Sequence, residues 1–253
     1  CLWWASAVAC LVMTQITSDM ILRTASTESS SSSLSTPTKK QRRRVDGSPI
    51  IPRDPNASTK TVWLIRHGQS KGQVTKHNRR TDPNLRDCGL TALGIEQAQH
   101  IPELGPDLVI SSPLTRALHT ALLGFPHDDI LLHYDLREIG SRVPENTPRD
   151  TEAVLDDLRE SIVIQDDKPR TVDTESLKPD QWPRDVSPNV VKRERTKRVL
   201  RWLYYDRTET KIAIVCHFNV IRSLLSSSSV RPVNAQPIPC TLYSNGDLEV
   251  VAE

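Results

Sequence analysis

Five side chains in this sequence are of the types that handle a small anion: Arg66, His67, Arg116, Glu138 and His217. Each sits where an apolar run gives way to a loop or a helix start. Residues 61–65, rich in β-branched and aromatic types, run into Arg66-His67-Gly68. A strand there delivers a guanidinium and an imidazole to a loop, and Gly68 is expected to let backbone amides come close to a ligand. Ser111-Ser112-Pro113-Leu114-Thr115-Arg116 follows a second apolar run and puts Arg116 in the first turn of a helix, Arg137-Glu138 follows a third run, and Cys216-His217 follows a fourth. Ligands of open α/β sheets bind outside the carboxyl ends of the strands, so the five groups are expected to converge. Guanidinium forks grip anionic oxygens, neutral imidazole is a base or nucleophile, and a carboxyl group moves protons.

These groups need elements to position them, and strand and helix signals alternate along the chain. Thr91 reads as a hydroxyl N-cap of a helix that turns Leu93, Ile95 and Ala98 toward a core, and residues 107–110 as the strand after it. Ser112-Pro113 is expected to open the next helix with proline at its first position, running to about Leu123. Residues 130–132 follow as a strand and 151–161 as a helix. The amphipathic stretch 189–205 turns Val199, Leu200, Trp202 and Leu203 inward, ahead of a strand at 211–215 and a helix at 220–225. Residues 238–243 and 248–251 form a hairpin across Asn245-Gly246. This alternation predicts an α/β three-layer sandwich, a mostly parallel sheet with helices on both faces. Residues 165–188, with four prolines, form an irregular excursion that is expected to act as a lid.

The chain has 253 residues, 37% hydrophobic and 25% charged, which suits one domain plus a tail. Residues 1–59 hold 7 Lys+Arg against 4 Asp+Glu, leaving a net charge of −1 for the remainder. A near-neutral body argues against a nucleic-acid partner, which needs a concentrated basic face. Residues 1–57 are expected to be a disordered or targeting extension, and 58–253 the catalytic domain. Within the extension, residues 1–13 have the length of a signal-peptide core but no basic residues before them, and are too short to span a bilayer. A signal or transit segment and a truncated extension both stay open, so no stable membrane insertion is expected. Residues 26–35 are a serine-rich linker, and the basic cluster 39–44 is either a nuclear-import signal or a solvated charge run. The five cysteines follow neither disulfide nor metal spacing, which fits reduced, cytoplasmic usage, with Cys216 a small core residue. His77, His100, His119, His127 and His133 have no i, i+4 partner or neighbouring cysteine, so no metal site is expected.

From about Thr61 to Val250 the chain resembles the histidine phosphatase superfamily, also called phosphoglycerate mutase-like, in its short single-domain branch. The resemblance rests on Arg66-His67-Gly68, Leu90-Thr91 with Gly94 and Gln97-Ala98, Ser111-Ser112-Pro113-Leu114 with Arg116, Arg137-Glu138, and His217 after an apolar strand. It implies a phosphoglycerate mutase-like fold and a phosphomonoester hydrolase in which His67 becomes phosphorylated. Arg66 and Arg116 then bind phosphate oxygens, His217 donates to another oxygen, and Glu138 protonates the leaving group and later activates water. The substrate expected is a small phosphorylated metabolite or a phosphopeptide, and neither cofactor nor metal is called for. A phosphoglycerate mutase-type phosphotransferase and a catalytically silent phosphate-binding protein are the alternatives. Many members carry Asn where this chain has Gln73, a candidate phosphate contact, and Gly-Gly where it has Phe218-Asn219. Those larger side chains are expected to narrow the pocket or alter the rate.

Overall fold

The strand Lys211–Cys216 is buried at every position after its first, an apolar run that only a sheet covered on both faces can accommodate. In the computed structural model it is the middle of seven strands. The structure describes residues 53–76, 78–139, 143–159, 171–175, 177, 188–227 and 229–251. In chain order the elements are β1 (Lys60–Arg66), α1 (Lys71–Val74), α2 (Ala92–Gln99), β2 (Leu108–Ser111), α3 (Thr115–Gly124), β3 (Ile130–Leu132), α4 (Thr151–Arg159), β4 (Val172–Asp173), α5 (Pro188–Tyr205), β5 (Lys211–Cys216), α6 (Phe218–Leu224), β6 (Pro237–Leu242) and β7 (Leu248–Val250). The sheet order is β4-β3-β2-β5-β1-β6-β7. Its pairs are parallel from β4 through β1, while β6 and β7 close the edge antiparallel.

Period-2 alternation on the strands divides the core in two. Val62, Leu64, Ile212 and Ile214 point to one face, where α5 and α6 supply Val199, Leu203, Val220 and Ile221. Ile65, Val109, Ala213 and Val215 point to the other, against Ala117, Leu118 and Ala121 of α3 and Val154 and Leu158 of α4. Leu64, Ile212 and Ile214 are fully covered, each stabilising the fold by roughly 1.5–3 kcal/mol. The fold is thus the expected three-layer α/β sandwich.

Strand register carries this core geometry to the site. Ile65 pairs with Val215 and Arg66 with Cys216, so β1 and β5 end at the same level and His67 and His217 leave the sheet side by side. Ser111 pairs with Val215 on the other flank, which sets Ser112 at the level of these two residues.

Three expectations change. Ala98 is buried as expected, but Leu93 is 48% exposed and α2 buries Gly94 in its place. The reason is a close backbone approach: a Cβ on Gly94 would stand 2.1 Å from the Gln69 carbonyl oxygen, so only glycine lets this face of α2 seat. Pro113 does not open α3, whose N-cap is Leu114. Ser112 and Pro113 are used up in the turn from strand to helix, and the capping carboxylate comes from Asp87, which accepts from Thr115 N at 2.9 Å and Thr115 Oγ1 at 2.9 Å. Most of the proline-rich excursion lies outside the described residues, but Val172–Asp173 within it pairs with β3 as the sheet's edge strand.

The serine-rich, basic and N-terminal apolar segments also lie outside the described residues. A compact unit spans Ile51–Glu253. The guanidinium of Arg53 lies 3.9 Å over the Tyr243 ring and pairs with Glu249, and Tyr204 Oη donates to Ser58 O at 2.7 Å. Packing therefore reaches back to Arg53. Among the described residues no helix is long and apolar enough to cross a membrane.

Candidate active site

The loop after β1 is pinned from three sides. Gly68 N donates to Thr120 Oγ1 of α3 at 2.9 Å, and Gln69 N donates to Gln97 Oε1 of α2 at 2.9 Å. A Cβ on Gly68 would stand 2.3 Å from the Gly94 carbonyl oxygen. The bareness of Gly68 thus serves helix packing, and its amide is engaged by Thr120, which corrects the expectation that it opens the backbone to a ligand. On the third side Asn234 Nδ2 donates to His67 O at 2.5 Å.

This framework fixes the His67 ring, which is only 4% exposed. Nδ1 lies 2.7 Å from the Gly68 carbonyl oxygen, an atom that only accepts, so Nδ1 carries the proton and Nε2 the lone pair. Arg116 Nε donates to that lone pair at 3.2 Å. Burial, and then the neighbouring Arg116 cation, hold the His67 pKa well below the usual imidazole value, so the ring is neutral at pH 7.

Arg116 is held as tightly. Nη1 donates to Glu145 O at 2.6 Å and Nη2 to Asn146 Oδ1 at 2.9 Å, while Asp87 fixes the start of its helix. Arg66 reaches the same cavity from the end of β1. Its Nη1 donates to Pro232 O at 3.1 Å and its guanidinium lies 5.2 Å from the Phe218 ring centre, a cation–π arrangement. Phe218 therefore lies against Arg66 and is not among the cavity-lining residues, contrary to the expected narrowing. Asn219 does line the cavity.

Glu138 faces the cavity beside these cations. Its Oε1 accepts from Ile139 N at 2.7 Å. Burial raises its pKa above the ordinary carboxyl value, with the Ile139 and Asn219 amides and the Arg116 and Arg66 cations opposing. The segment before it is clamped to α5, where Arg195 Nη2 donates to Asp135 O at 2.9 Å and to Arg137 O, and Arg198 donates to the Asp135 carboxylate through Nε and Nη2, each at 2.9 Å.

His217 is fully buried, its ring centre 5.1 Å from that of His67 and edge-on to it. It borders His67 without lining the open cavity. Ser112 Oγ lies 2.8 Å from His217 Nε2 and itself accepts from Leu114 N at 3.3 Å. His217 Nδ1 has no hydrogen-bond partner among the described residues. Burial, then the Arg116 cation, lower the His217 pKa well below the ordinary value.

Gln73 lines the cavity, but much of its amide is committed. Its Oε1 accepts from Ser70 N at 2.9 Å, closing the cap of α1, and its Nε2 donates to Asn234 Oδ1 at 3.2 Å. One Nε2 proton is left for an anion. The cavity enclosed by these side chains has a volume of about 230 Å³ and also takes in Arg79, Arg80, Glu145 and Asn146, so four arginines face two glutamates. That size suits a phosphate with a small attached group, below the range of about 300–1,000 Å³ typical of drug-sized sites. Among the described residues no group of three or more His, Cys, Asp or Glu is arranged to hold a metal ion. Cys216 is fully buried, and burial raises its thiol pKa, as fits a core residue.

Sequence reading missed Ser112, Asn146 and Asn234 as partners of the two histidines and Arg116. Asn234 lies in an irregular segment and Asn146 in a single 3-10 turn, Pro144–Asn146, neither long enough to give a periodic signal. Ser112 was visible as the residue after a strand, but its bond to His217 needs the register of β2 against β5.

A curated Schizosaccharomyces pombe protein named as a probable phosphatase is 37% identical over 71 residues, a match that spans 27% of this chain and 33% of that protein. The phosphoglycerate mutase structure from Bacillus anthracis aligns with a TM-score of 0.50 at 16% identity, over 78% of this chain and 94% of the other. The alpha-ribazole phosphatase from Shigella flexneri aligns with a TM-score of 0.47 at 22% identity, over 76% and 95% of the two chains. At such identities the first of these structures speaks to the fold alone. The model of the histidine phosphatase superfamily, branch 1, matches residues 62–245, which include the strands, helices and loops that meet at the cavity. The chain belongs to the histidine phosphatase superfamily, branch 1.

Proposed function

We propose that this protein is a metal-independent phosphomonoester hydrolase that works through a phosphohistidine on His67, with an acid-type mechanism in which a carboxylic acid protonates the leaving group. The observation that carries the reading is the His67 tautomer: Nδ1–H is spent on Gly68 O, and the Nε2 lone pair faces Arg116 at the cavity. In the first step Nε2 attacks phosphorus, the P–O bond to the leaving group breaks, and the departing oxygen takes the Glu138 proton. Burial favours the protonated form of Glu138 that this step needs. In the second step the Glu138 carboxylate takes a proton from water, whose oxygen attacks phosphorus and releases His67 and inorganic phosphate. Arg66 and Arg116 stabilise the equatorial oxygens, and removing one such donor typically lowers kcat by about 10²–10³. His217, whose Nδ1 has no partner among the described residues, supplies a further donor once the phosphoryl group sits on His67.

The positive charge this chemistry requires is supplied by arginines, which supports the metal-independent form. A panel of phosphate monoesters assayed with wild type and with His67→Ala, with and without EDTA, tests the proposal. Hydrolysis that needs His67 and survives chelation is expected. Activity abolished by EDTA and restored by a divalent ion would overturn the metal-independent reading, and activity retained in His67→Ala the covalent one.

A further inference from the structure

The cavity contains more positive charge than a single phosphoryl group requires, and the surplus sits at one place. Arg66 and Arg116 serve the nucleophile, whereas Arg79 and Arg80 reach the cavity from the loop after α1. Arg79 is neutralised: its Nη2 and Nε donate to the two oxygens of Glu145 at 2.7 and 3.2 Å. Arg80 has no hydrogen bond or ion pair among the described residues, yet it lines the cavity.

The turn that presents Arg80 is built. Asn78 takes a left-handed conformation at φ 55°, which asparagine tolerates better than most residues. Its carbonyl oxygen accepts from Thr81 N at 2.9 Å, Asp82 N at 2.8 Å and Thr81 Oγ1 at 3.3 Å. Three donors on one oxygen fix the turn that carries the two arginines, and the Arg79–Glu145 pair ties the same turn to the segment that carries Asn146.

We infer that Arg80 forms a second anion subsite of this cavity, and that the substrate is a small phosphomonoester carrying another anionic group, a carboxylate or a second phosphoryl, besides the one transferred. This rests on the hydrolase reading for its substrate and on binding alone for the subsite. A guanidinium with no internal counter-ion is the group that a second anion would neutralise, and the Glu145 pairing leaves Arg80 the one of the two so placed. Charge-assisted contacts of this kind change affinity by about tenfold or more.

The test uses ligands that cannot be hydrolysed, so that its outcome is independent of turnover. Calorimetry on the full chain and on Arg80→Gln compares ethylphosphonate, which has one anionic group, with phosphonoacetate and methylenediphosphonate, which carry a second one as carboxylate or phosphoryl. Wild type is expected to bind at least one of the two-anion ligands about tenfold or more tightly than ethylphosphonate, and Arg80→Gln to lose most of that ratio. Which ligand shows the preference identifies the second group. Equal affinity for all three in wild type, or a preference that survives in Arg80→Gln, would overturn the subsite. Failure to hydrolyse any monoester alongside an intact binding preference would instead count against the hydrolase reading and leave the subsite standing.

Discussion

Arg116 Nε donates to His67 Nε2 at 3.2 Å, so the cation that is to stabilise the phosphoryl group rests on the lone pair of the proposed nucleophile. The contact keeps that nitrogen unprotonated, because an imidazolium there would face a guanidinium across one hydrogen bond. It also means that an incoming phosphate oxygen must take over the Nε proton as it approaches Nε2. The remaining Arg116 contacts, to Glu145 O and Asn146 Oδ1, keep the guanidinium plane in place during that exchange.

Arg116→Lys should therefore be far from conservative. Lysine retains the charge but cannot address His67, Glu145 O and Asn146 together. A fall in kcat of about 100-fold to 1,000-fold is expected, the effect of losing one positioned donor. Steady-state kinetics check this, and kcat within a few-fold of wild type would show that charge alone suffices.

Glu138→Gln separates a proton donor from a residue that only holds its loop. Alkyl phosphates need the proton and aryl phosphates, with a stable phenolate, need it much less, so kcat/KM should fall about 100-fold to 10,000-fold for the former. A smaller fall is expected for the latter. Equal losses on both ester classes, or the same pattern in Arg137→Ala, would remove Glu138 from the acid role.

Stability should depend on pH in a direction set by buried histidines. His67, His119, His133 and His217 all have pKa values lowered by burial from the ordinary 6.5. Below that value the unfolded chain binds more protons than the folded one, so stability is full above pH 6.5 and is lost as pH falls. Glu138 and Asp87, with raised values, act oppositely, losing stability as pH rises from their ordinary 4.5 and 3.8 through those raised values, but they are two groups against four histidines. Melting temperatures should fall between pH 7.5 and about pH 5.5, less steeply in His217→Asn. A flat profile over that interval would contradict the neutral, buried state of these rings.

We propose that the folded body begins at Arg53, ahead of the boundary at Ser58 that composition suggested. Removing residues 1–52 should leave the melting temperature close to that of the full chain. Removing residues 1–58 also takes away the Arg53–Tyr243 stack and the Tyr204 bond to Ser58 O. An exposed cation–π contact contributes about 0.5–1 kcal/mol, equivalent to a drop of roughly 1–4 °C for a domain of this size. Calorimetric scans of both truncations decide between the two boundaries.

How much of this was legible in the sequence depended on whether a feature is periodic or local. The strands ending at Arg66 and Cys216 were readable, because apolar runs bounded by polar residues at the next position announce a buried strand and its exit. The inward face of the helix at 189–205 was readable for the same reason. On α2 Ala98 was readable but the place of Gly94 was not, since it is set by Gly94 meeting the Gln69 backbone and hydrophobicity carries no trace of that contact. The cap of α3 came from Asp87, 28 residues away, where local rules pointed to Ser112 and Pro113. Of the residues singled out in the sequence, Arg66, His67, Arg116 and Glu138 line one cavity, and His217 lies against His67. Glu145 and Asn146, from a short 3-10 turn, and Arg79 and Arg80, from a loop, meet only in the tertiary structure.

The covalent step on His67 is the centre of the account, and rapid quench with a labelled phosphate monoester measures it most directly. The account predicts a protein-bound phosphoryl group that is acid-labile and alkali-stable, forms within a single turnover, maps to His67 and is absent in His67→Ala. Turnover at the wild-type rate in His67→Ala, or hydrolysis by wild type with no protein-bound phosphoryl group at any time point, would contradict it.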